Sequence, residues 1–247
     1  TENDEIVGSL DIAVVRLPVN NKKEADRMVK KITDYVSESN SRGCWRNKLL
    51  FLADDADDGQ TMHMEQASQL ADKCIALNKN LITDKIFLDA YQQEVISGGQ
   101  RYPSVNKEIE SKIKNGCLVF NYTGHGNPLR LTGEIVVDKG EVEKWENKDK
   151  LPLFIAASCS VGRFDDESRK SLGEEMLVSF NGGSIATIAS NRTVYAGPNM
   201  SLNSNIYNYL FTFTSDHKSQ FIGEVLRLAK NKTSGDDFNK HNFTLLG

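Results

Sequence analysis

Two residues carry the chemistry that this sequence is equipped to do. His125 stands between two glycines in Asn121-Tyr122-Thr123-Gly124-His125-Gly126, and Cys159 follows 34 residues later in Ile155-Ala156-Ala157-Ser158-Cys159-Ser160. Each comes directly after an apolar run that reads as a buried strand. An imidazole can take and return a proton near neutral pH, and a thiol beside such a base becomes the thiolate that attacks a carbonyl. The flanking glycines permit close approach of a substrate chain while leaving the ring exposed. Ser158-Cys159-Ser160-Val161-Gly162 is small and polar after its strand, a composition suited to a tight turn that aims backbone N–H groups at a developing oxyanion. The structural alternatives are a histidine that caps a turn and a cysteine that fills the end of a strand.

A third group of candidates lies in Leu52-Ala53-Asp54-Asp55-Ala56-Asp57-Asp58-Gly59. A carboxylate from this loop would orient the imidazole and stabilise its charged form. The cluster also offers the oxygen ligands that Ca²⁺ takes, with Asp57 and Asp58 as its candidate residues, yet it lacks the complete EF-hand pattern, and a solvated acidic loop is the third reading. The four cysteines, at 44, 74, 117 and 159, show no zinc-type spacing, so no structural metal is expected. Cys74 falls on a helical stripe with Ala67, Leu70 and Ala71, and Cys117 opens a strand; both read as small buried hydrophobes. Cys44, between Gly43 and Trp45, has no clear role. The sequons Asn121-Tyr122-Thr123 and Asn191-Arg192-Thr193 are not read as glycosylated, the first because it lies inside a strand.

The elements that must position these residues alternate as in a parallel sheet. A stretch at 11–18 leads into a helix whose apolar positions 25, 28, 29, 32 and 36 share one face, a stripe that calls for a sheet to cover. Strand-like runs follow at 49–53, 85–88, 117–122, 153–157 and 184–189, with helical segments near 62–76, 104–114, 171–180 and 218–230 between them. The runs are continuously apolar, which suits strands covered on both faces by crossover helices. In such a sheet the carboxyl ends of the strands open onto one crevice, where His125, Cys159 and the acidic loop would meet. The segment 126–150, charged and weakly periodic, reads as a covering loop with a short helix around 142–145.

Composition excludes other classes. The chain has 247 residues, 39% of them hydrophobic, enough for one sizeable core or two small ones. Its 30 basic and 34 acidic residues leave a net charge of −4, and no basic cluster is interleaved with aromatics, so no nucleic-acid partner is expected. Apolar runs are strand-sized, well short of the roughly 20 residues that span a bilayer, so insertion into a membrane is not expected. The start, Thr1-Glu2-Asn3-Asp4-Glu5, is polar and unlike a signal peptide, as a mature or excised chain would also be.

Taken in order, Asn115-Gly116, the strand with Asn121-Tyr122-Thr123-Gly124-His125-Gly126, Leu151-Pro152-Leu153-Phe154-Ile155 running into Cys159, and Ile185-Ala186-Thr187-Ile188-Ala189-Ser190 resemble the gingipain-type cysteine peptidases of family C25. The similarity extends upstream to Arg16-Leu17-Pro18 and Trp45, and downstream to Phe243-Thr244-Leu245-Leu246-Gly247. The resemblance implies an α/β fold of caspase-like, three-layer αβα type, with a mostly parallel sheet flanked by helices. It implies a single gingipain-type catalytic subdomain over residues 1–247, a fragment of a larger protein, with a leading strand and helix at 1–45 and the core with its dyad at 46–247. By position it makes Cys159 the nucleophile, His125 the general base and acid, and the backbone N–H groups of Cys159 and Gly126 the oxyanion hole. The acidic residue that supports the histidine falls at Asp55 or Asp54, and Tyr195 and Asn191 fall where substrate is bound. The arginine-specific members carry an acidic pocket residue in the segment matching Gln60-Thr61-Met62-His63; its absence here disfavours basic substrate side chains, since a buried cation without a partner is costly.

Within the family the nearest resemblance is to the sortase of the type IX secretion system. It implies a secreted enzyme at the outer membrane of a bacterial cell surface, acting on a protein or peptide substrate alongside other type IX components. Such an enzyme removes the carboxy-terminal sorting signal of its cargo, and its acyl-enzyme is resolved by water or by a surface amine; no cofactor is implied. A general secreted endopeptidase and a catalytically silent binding module of the same fold are the alternatives.

Overall fold

A computed structural model describes residues 8–247 apart from 38, 57, 58, 60, 98, 217, 235 and 236. Its centre is a six-stranded sheet of β1 (Lys48–Ala53), β2 (Ile82–Phe87), β3 (Val119–Thr123), β4 (Leu153–Ala157), β5 (Ala186–Ser190) and β6 (Phe243–Leu246), in the order β6-β5-β4-β3-β1-β2. All neighbours run parallel except β6, which is antiparallel to β5. The helices are α1 (Lys22–Ser37), α2 (Met62–Leu77), α3 (Pro103–Asn115), α4 (Lys139–Lys144), α5 (Leu172–Val178), α6 (Ala196–Leu210), α7 (Ile222–Lys232) and α8 (Asp237–Asn242).

Side chains alternate across the sheet, so each central strand feeds two cores. Leu50 and Leu52 of β1, with Phe120, Tyr122, Phe154 and Ala156, pack under α3, α4 and α5 through Val105, Ile109, Ile113, Val142, Leu172 and Met176. Leu49 and Phe51, with Val119, Ile155 and Ile188, pack on the opposite face under α2, α6 and α7 through Leu70, Cys74, Leu202, Ile206, Val225 and Ala229. The result is the three-layer αβα sandwich expected from the continuous apolar runs.

Several elements differ from expectation. The leading strand at 11–18 reduces to one bridge between Arg16 and Leu246. Helix α1 does not cover the sheet face: Met28 is buried with Leu177 and Leu246 and Tyr35 packs on Trp45, while Val29 and Val36 stay 61% and 69% exposed. Strand β2 begins at Ile82 rather than 85, ends at Phe87, and lies mostly open at the sheet edge. Cys117 is buried just ahead of β3 rather than inside it. Segment 126–150 forms a small antiparallel sheet (Gly126–Asn127, Arg130–Leu131, Val137–Asp138) that runs into α4, so the helix begins at 139 rather than 142. Helix α6 is unexpected: its buried face carries Asn199 and Asn203, which blunt the apolar stripe.

The chain leaves β1 for β2 on one side and returns to β3 on the other, so the winding reverses between β1 and β3. At such a reversal the loops after the strands diverge and leave a crevice. Asp54 and Asp55 follow β1, Gly124 and His125 follow β3, and Ser158 and Cys159 follow β4, in a register that aligns Ala53, Thr123 and Ala157.

Candidate active site

The backbone of His125 is fixed from both sides. Its N–H donates to Oδ2 of Asp54 at 2.8 Å, and its C=O accepts from the Thr132 N–H at 3.1 Å and from the Tyr122 hydroxyl. Gly124 has to be glycine here, since a Cβ would stand 2.5 Å from both the Asp54 Cβ and the Tyr122 hydroxyl. Gly126 has no room for a side chain either: a Cβ would run into the Ser158 hydroxyl and sit 3.2 Å from Val161. The pairing of His125 with Thr132 makes Gly126 and Leu131 a non-hydrogen-bonded pair, so the Gly126 N–H points away from the neighbouring strand. The sequence placed an oxyanion donor there, and this direction leaves the group able to serve.

Cys159 is half-buried at the end of β4 and is followed by a sharp turn. Ser160 takes φ 57°, a left-handed conformation costing an L-residue about 1–2 kcal/mol. It is held there because its N–H meets both the Arg192 C=O and the Ser190 hydroxyl at 2.9 Å. The Cys159 Sγ lies 3.5 Å from both the N–H and the C=O of Val194. A cavity of about 320 Å³ joins Cys159 and His125 to Asp55, Met62, His63, Gly124, Val194, Tyr195, Ala196 and Asn199.

The acidic candidates divide. Asp54, 3% exposed, grips the His125 backbone from beneath, whereas Asp55 accepts the Tyr102 hydroxyl at 2.7 Å and reaches the cavity wall. Among the described residues neither ring nitrogen of His125 has a hydrogen bond, so neither carboxylate takes the imidazole-orienting role. Burial pushes the Asp54 carboxyl up to about 7; the His125 N–H opposes that rise, and the negative charges of Asp55 and Glu134 reinforce it. Buried Asp54, Asp55 and Glu134 bring carboxylate oxygens within 4.8 Å of one another, close enough to share one cation. Asp57 and Asp58, the calcium candidates, lie outside the described residues.

Tyr195 lines the cavity, 64% exposed, with its ring 6.1 Å from that of Phe238. Asn191 does not line it; its N–H is bonded to the Asn242 C=O at 2.8 Å, which places it at the β6 side of the cleft. Thr61, Met62 and His63 are not acidic, and Asp55, which also lines the cavity, has its carboxylate bonded to the Tyr102 hydroxyl. His63, read only as a position without an acid, lines the cavity itself. It is 9% exposed, and its ring stands 5.2 Å from that of His125 at 87°. Burial, and then the nearby His125 charge, lower its proton affinity.

Residues 2–247 match the model of peptidase family C25. The fold is similar to that of the Arg-specific cysteine proteinase gingipain R, with a TM-score of 0.78 and 17% identity over 96% of this chain and 54% of that one. It is also similar to the complex of the pro- and mature domains of RgpB from Porphyromonas gingivalis, with a TM-score of 0.74 and 17% identity over 96% of this chain and 55% of that one. The separase–securin complex of Saccharomyces cerevisiae shares the fold more distantly, with a TM-score of 0.61 and 12% identity over 96% of this chain and 14% of that one. An uncharacterised protein of Archaeoglobus fulgidus is 22% identical over 200 residues, which cover 72% of this chain and 46% of that protein. The chain thus spans about half the length of gingipain R and of the archaeal relative. No described helix is long and apolar enough to cross a membrane.

Proposed function

The chain belongs to peptidase family C25, and from that membership we propose that it is a cysteine endopeptidase with Cys159 as nucleophile and His125 as general base and acid. The observation that carries this reading is the convergence of both side chains on one cleft from the carboxyl ends of β3 and β4. His125 takes the thiol proton as Sγ attacks a substrate carbonyl. The carbonyl oxygen becomes an oxyanion facing the N–H groups of Gly126 and Cys159, and the leaving amine receives the proton from His125. Water, activated by the same imidazole, then releases the acyl group. An amine entering in its place would complete a transfer, as a type IX sortase at the cell surface requires; the sequence resemblance supports that finer reading.

A peptidyl inhibitor directed at thiols tests the dyad. Modification of Cys159 that is lost in His125→Ala is the expected result, and equal labelling in both proteins sinks it. Incubation with unrelated unfolded proteins then separates the two forms: general cleavage favours an ordinary endopeptidase, and resistance of all but tailed cargo favours the sortase.

A further inference from the structure

In a nucleophile–base pair the imidazole needs a third group to hold its ring, and a carboxylate usually does so. Here the carboxylates are engaged elsewhere: Asp54 takes the backbone N–H of His125, and Asp55 takes the Tyr102 hydroxyl. The His125 side chain is exposed, and among the described residues its ring nitrogens have no hydrogen bond, so the fixed backbone alone leaves its side-chain torsions free. The ring that meets it is His63, edge-on at 5.2 Å.

We propose that His63 is the positioning residue of this site, fixing the plane of the His125 imidazole toward Cys159 by edge-to-face packing. The assignment rests on the proposed roles of His125 and Cys159. His63 is suited to the task by its place in the fold. It sits in the first turn of α2, a 16-residue helix that starts nine residues after β1 ends and is anchored on the sheet by Ala67, Leu70, Ala71 and Cys74. The turn is braced in turn by the Thr61 hydroxyl, which donates to the Glu65 carboxylate at 2.5 Å. His63 is therefore held by its helix, whereas the His125 side chain is exposed. Aromatic pairs with centroids about 4.5–7 Å apart favour such a perpendicular arrangement. Its buried Nδ1 has no hydrogen-bond partner, so the ring is not held there by a polar network of its own. Packing against the cleft, rather than hydrogen bonding, accounts for its position.

The test uses the whole chain and a peptidyl chloromethyl ketone, resolving the maximal inactivation rate from the half-saturating reagent concentration. His63→Ala removes the ring and is expected to slow the maximal rate about tenfold or more, with half-saturation little changed, because misorientation of a reacting group is felt in the chemical step. His63→Phe keeps an aromatic edge and is expected to restore the rate to within about threefold of the parent. A parent-like rate in His63→Ala overturns the proposal. Equal loss in the alanine and phenylalanine variants, with restoration by His63→Gln, also overturns it, since a polar role would then replace packing. Thermal melting of each variant separates loss of fold from loss of rate. His125→Ala serves as the separate control: if it labels Cys159 as fast as the parent, the peptidase reading itself fails, whereas a dead His125→Ala beside a parent-like His63→Ala defeats the positioning role alone.

Discussion

The Asp54 carboxylate accepts the backbone N–H of His125 at 2.8 Å, so the loop after β1 clamps the loop after β3 at the point where the sheet reverses its winding. This clamp is strained electrostatically, because Asp54 is buried beside Asp55 and Glu134 and holds its proton up to about 7. In the unfolded chain the same carboxyl ionises near its ordinary value of 3.8. As pH rises from about 4 to 7 the unfolded state loses this proton first, so stability from this group is greatest at the acid end of the window and falls by at most about 4 kcal/mol toward neutrality. Asp54→Asn keeps an acceptor for the His125 N–H and removes the titration. Its expected signature is a higher melting temperature than the parent at pH 7 and a flatter dependence between pH 4 and 7. An unchanged slope would mean that Asp54 is already ionised in the fold.

The four cysteines differ enough in setting to be told apart by a small alkylating reagent. Burial pushes the Cys74 and Cys117 thiols up to about 12, so neither forms thiolate at pH 8 while the chain is folded. Cys44 is exposed and Cys159 half-buried in the cleft. Iodoacetamide followed by mass spectrometry is expected to modify two sites in native protein, Cys44 and Cys159, and four after denaturation. Pre-treatment with the peptidyl reagent is expected to remove Cys159 alone from the native pattern. Native labelling of Cys74 or Cys117 would contradict the two cores described above.

The legible parts of this molecule are those where one physical requirement dominates. Strands β1, β3 and β4 lie in the middle of the sheet, need apolar side chains on both faces, and so announce themselves as continuous runs; the residues that follow them had to share a crevice. Strand β6 is only four residues long, Phe243-Thr244-Leu245-Leu246, and its pairing with β5 depends on a long return of the chain that no local pattern encodes. Helix α6 buries amides: Asn203 bonds Asn121 of β3 at 3.1 Å, a partnership between residues 82 apart that makes a polar helix face look solvent-directed. His63 escaped for a related reason. A histidine at a helix start is ordinary in sequence, and its meaning comes from the reversal of winding between β1 and β3, which sets the start of α2 beside the loop that carries His125.

Gly126 and Ser158 face each other where the oxyanion is expected. Gly126→Ala would drive a methyl group into the Ser158 hydroxyl, and the overpacked loop would relax by moving a donor or the nucleophile. A loss of about 100-fold or more in the labelling rate of Cys159 is expected, on the scale of removing one oxyanion donor. Ser158→Ala in the same chain deletes the clashing hydroxyl and leaves its Cβ at 3.4 Å, so the double variant is expected to recover most of the rate. The Ser158 hydroxyl is buried without a hydrogen-bond partner, so Ser158→Ala alone is expected to cost little stability. A double variant as slow as Gly126→Ala would place the decisive crowding at Val161, which the added Cβ meets at 3.2 Å, rather than at the Ser158 hydroxyl.

The Tyr195 side of the cleft is tied down by one buried amide. Asn239 is fully buried, accepts the Tyr195 N–H through Oδ1 at 3.1 Å, and donates through Nδ2 to the Tyr195 C=O at 2.9 Å and to Asn199 Oδ1 at 2.7 Å. It thereby ties α8 to the start of α6 and holds the segment from Val194 to Ala196 against Cys159. Asn239→Ala strips these three bonds and leaves buried polar groups unmet, a cost of about 1–3 kcal/mol for each group left unsatisfied. Asn239→Asp keeps the shape and the acceptor but cannot donate when ionised, which isolates the two Nδ2 bonds. Both variants are expected to raise the concentration of peptidyl reagent needed for half-saturation by about tenfold, while the maximal inactivation rate changes less, on the expectation that Tyr195 contacts the substrate. The opposite split, an unchanged half-saturation with a collapsed maximal rate, would move Tyr195 from the binding wall into the support of Cys159.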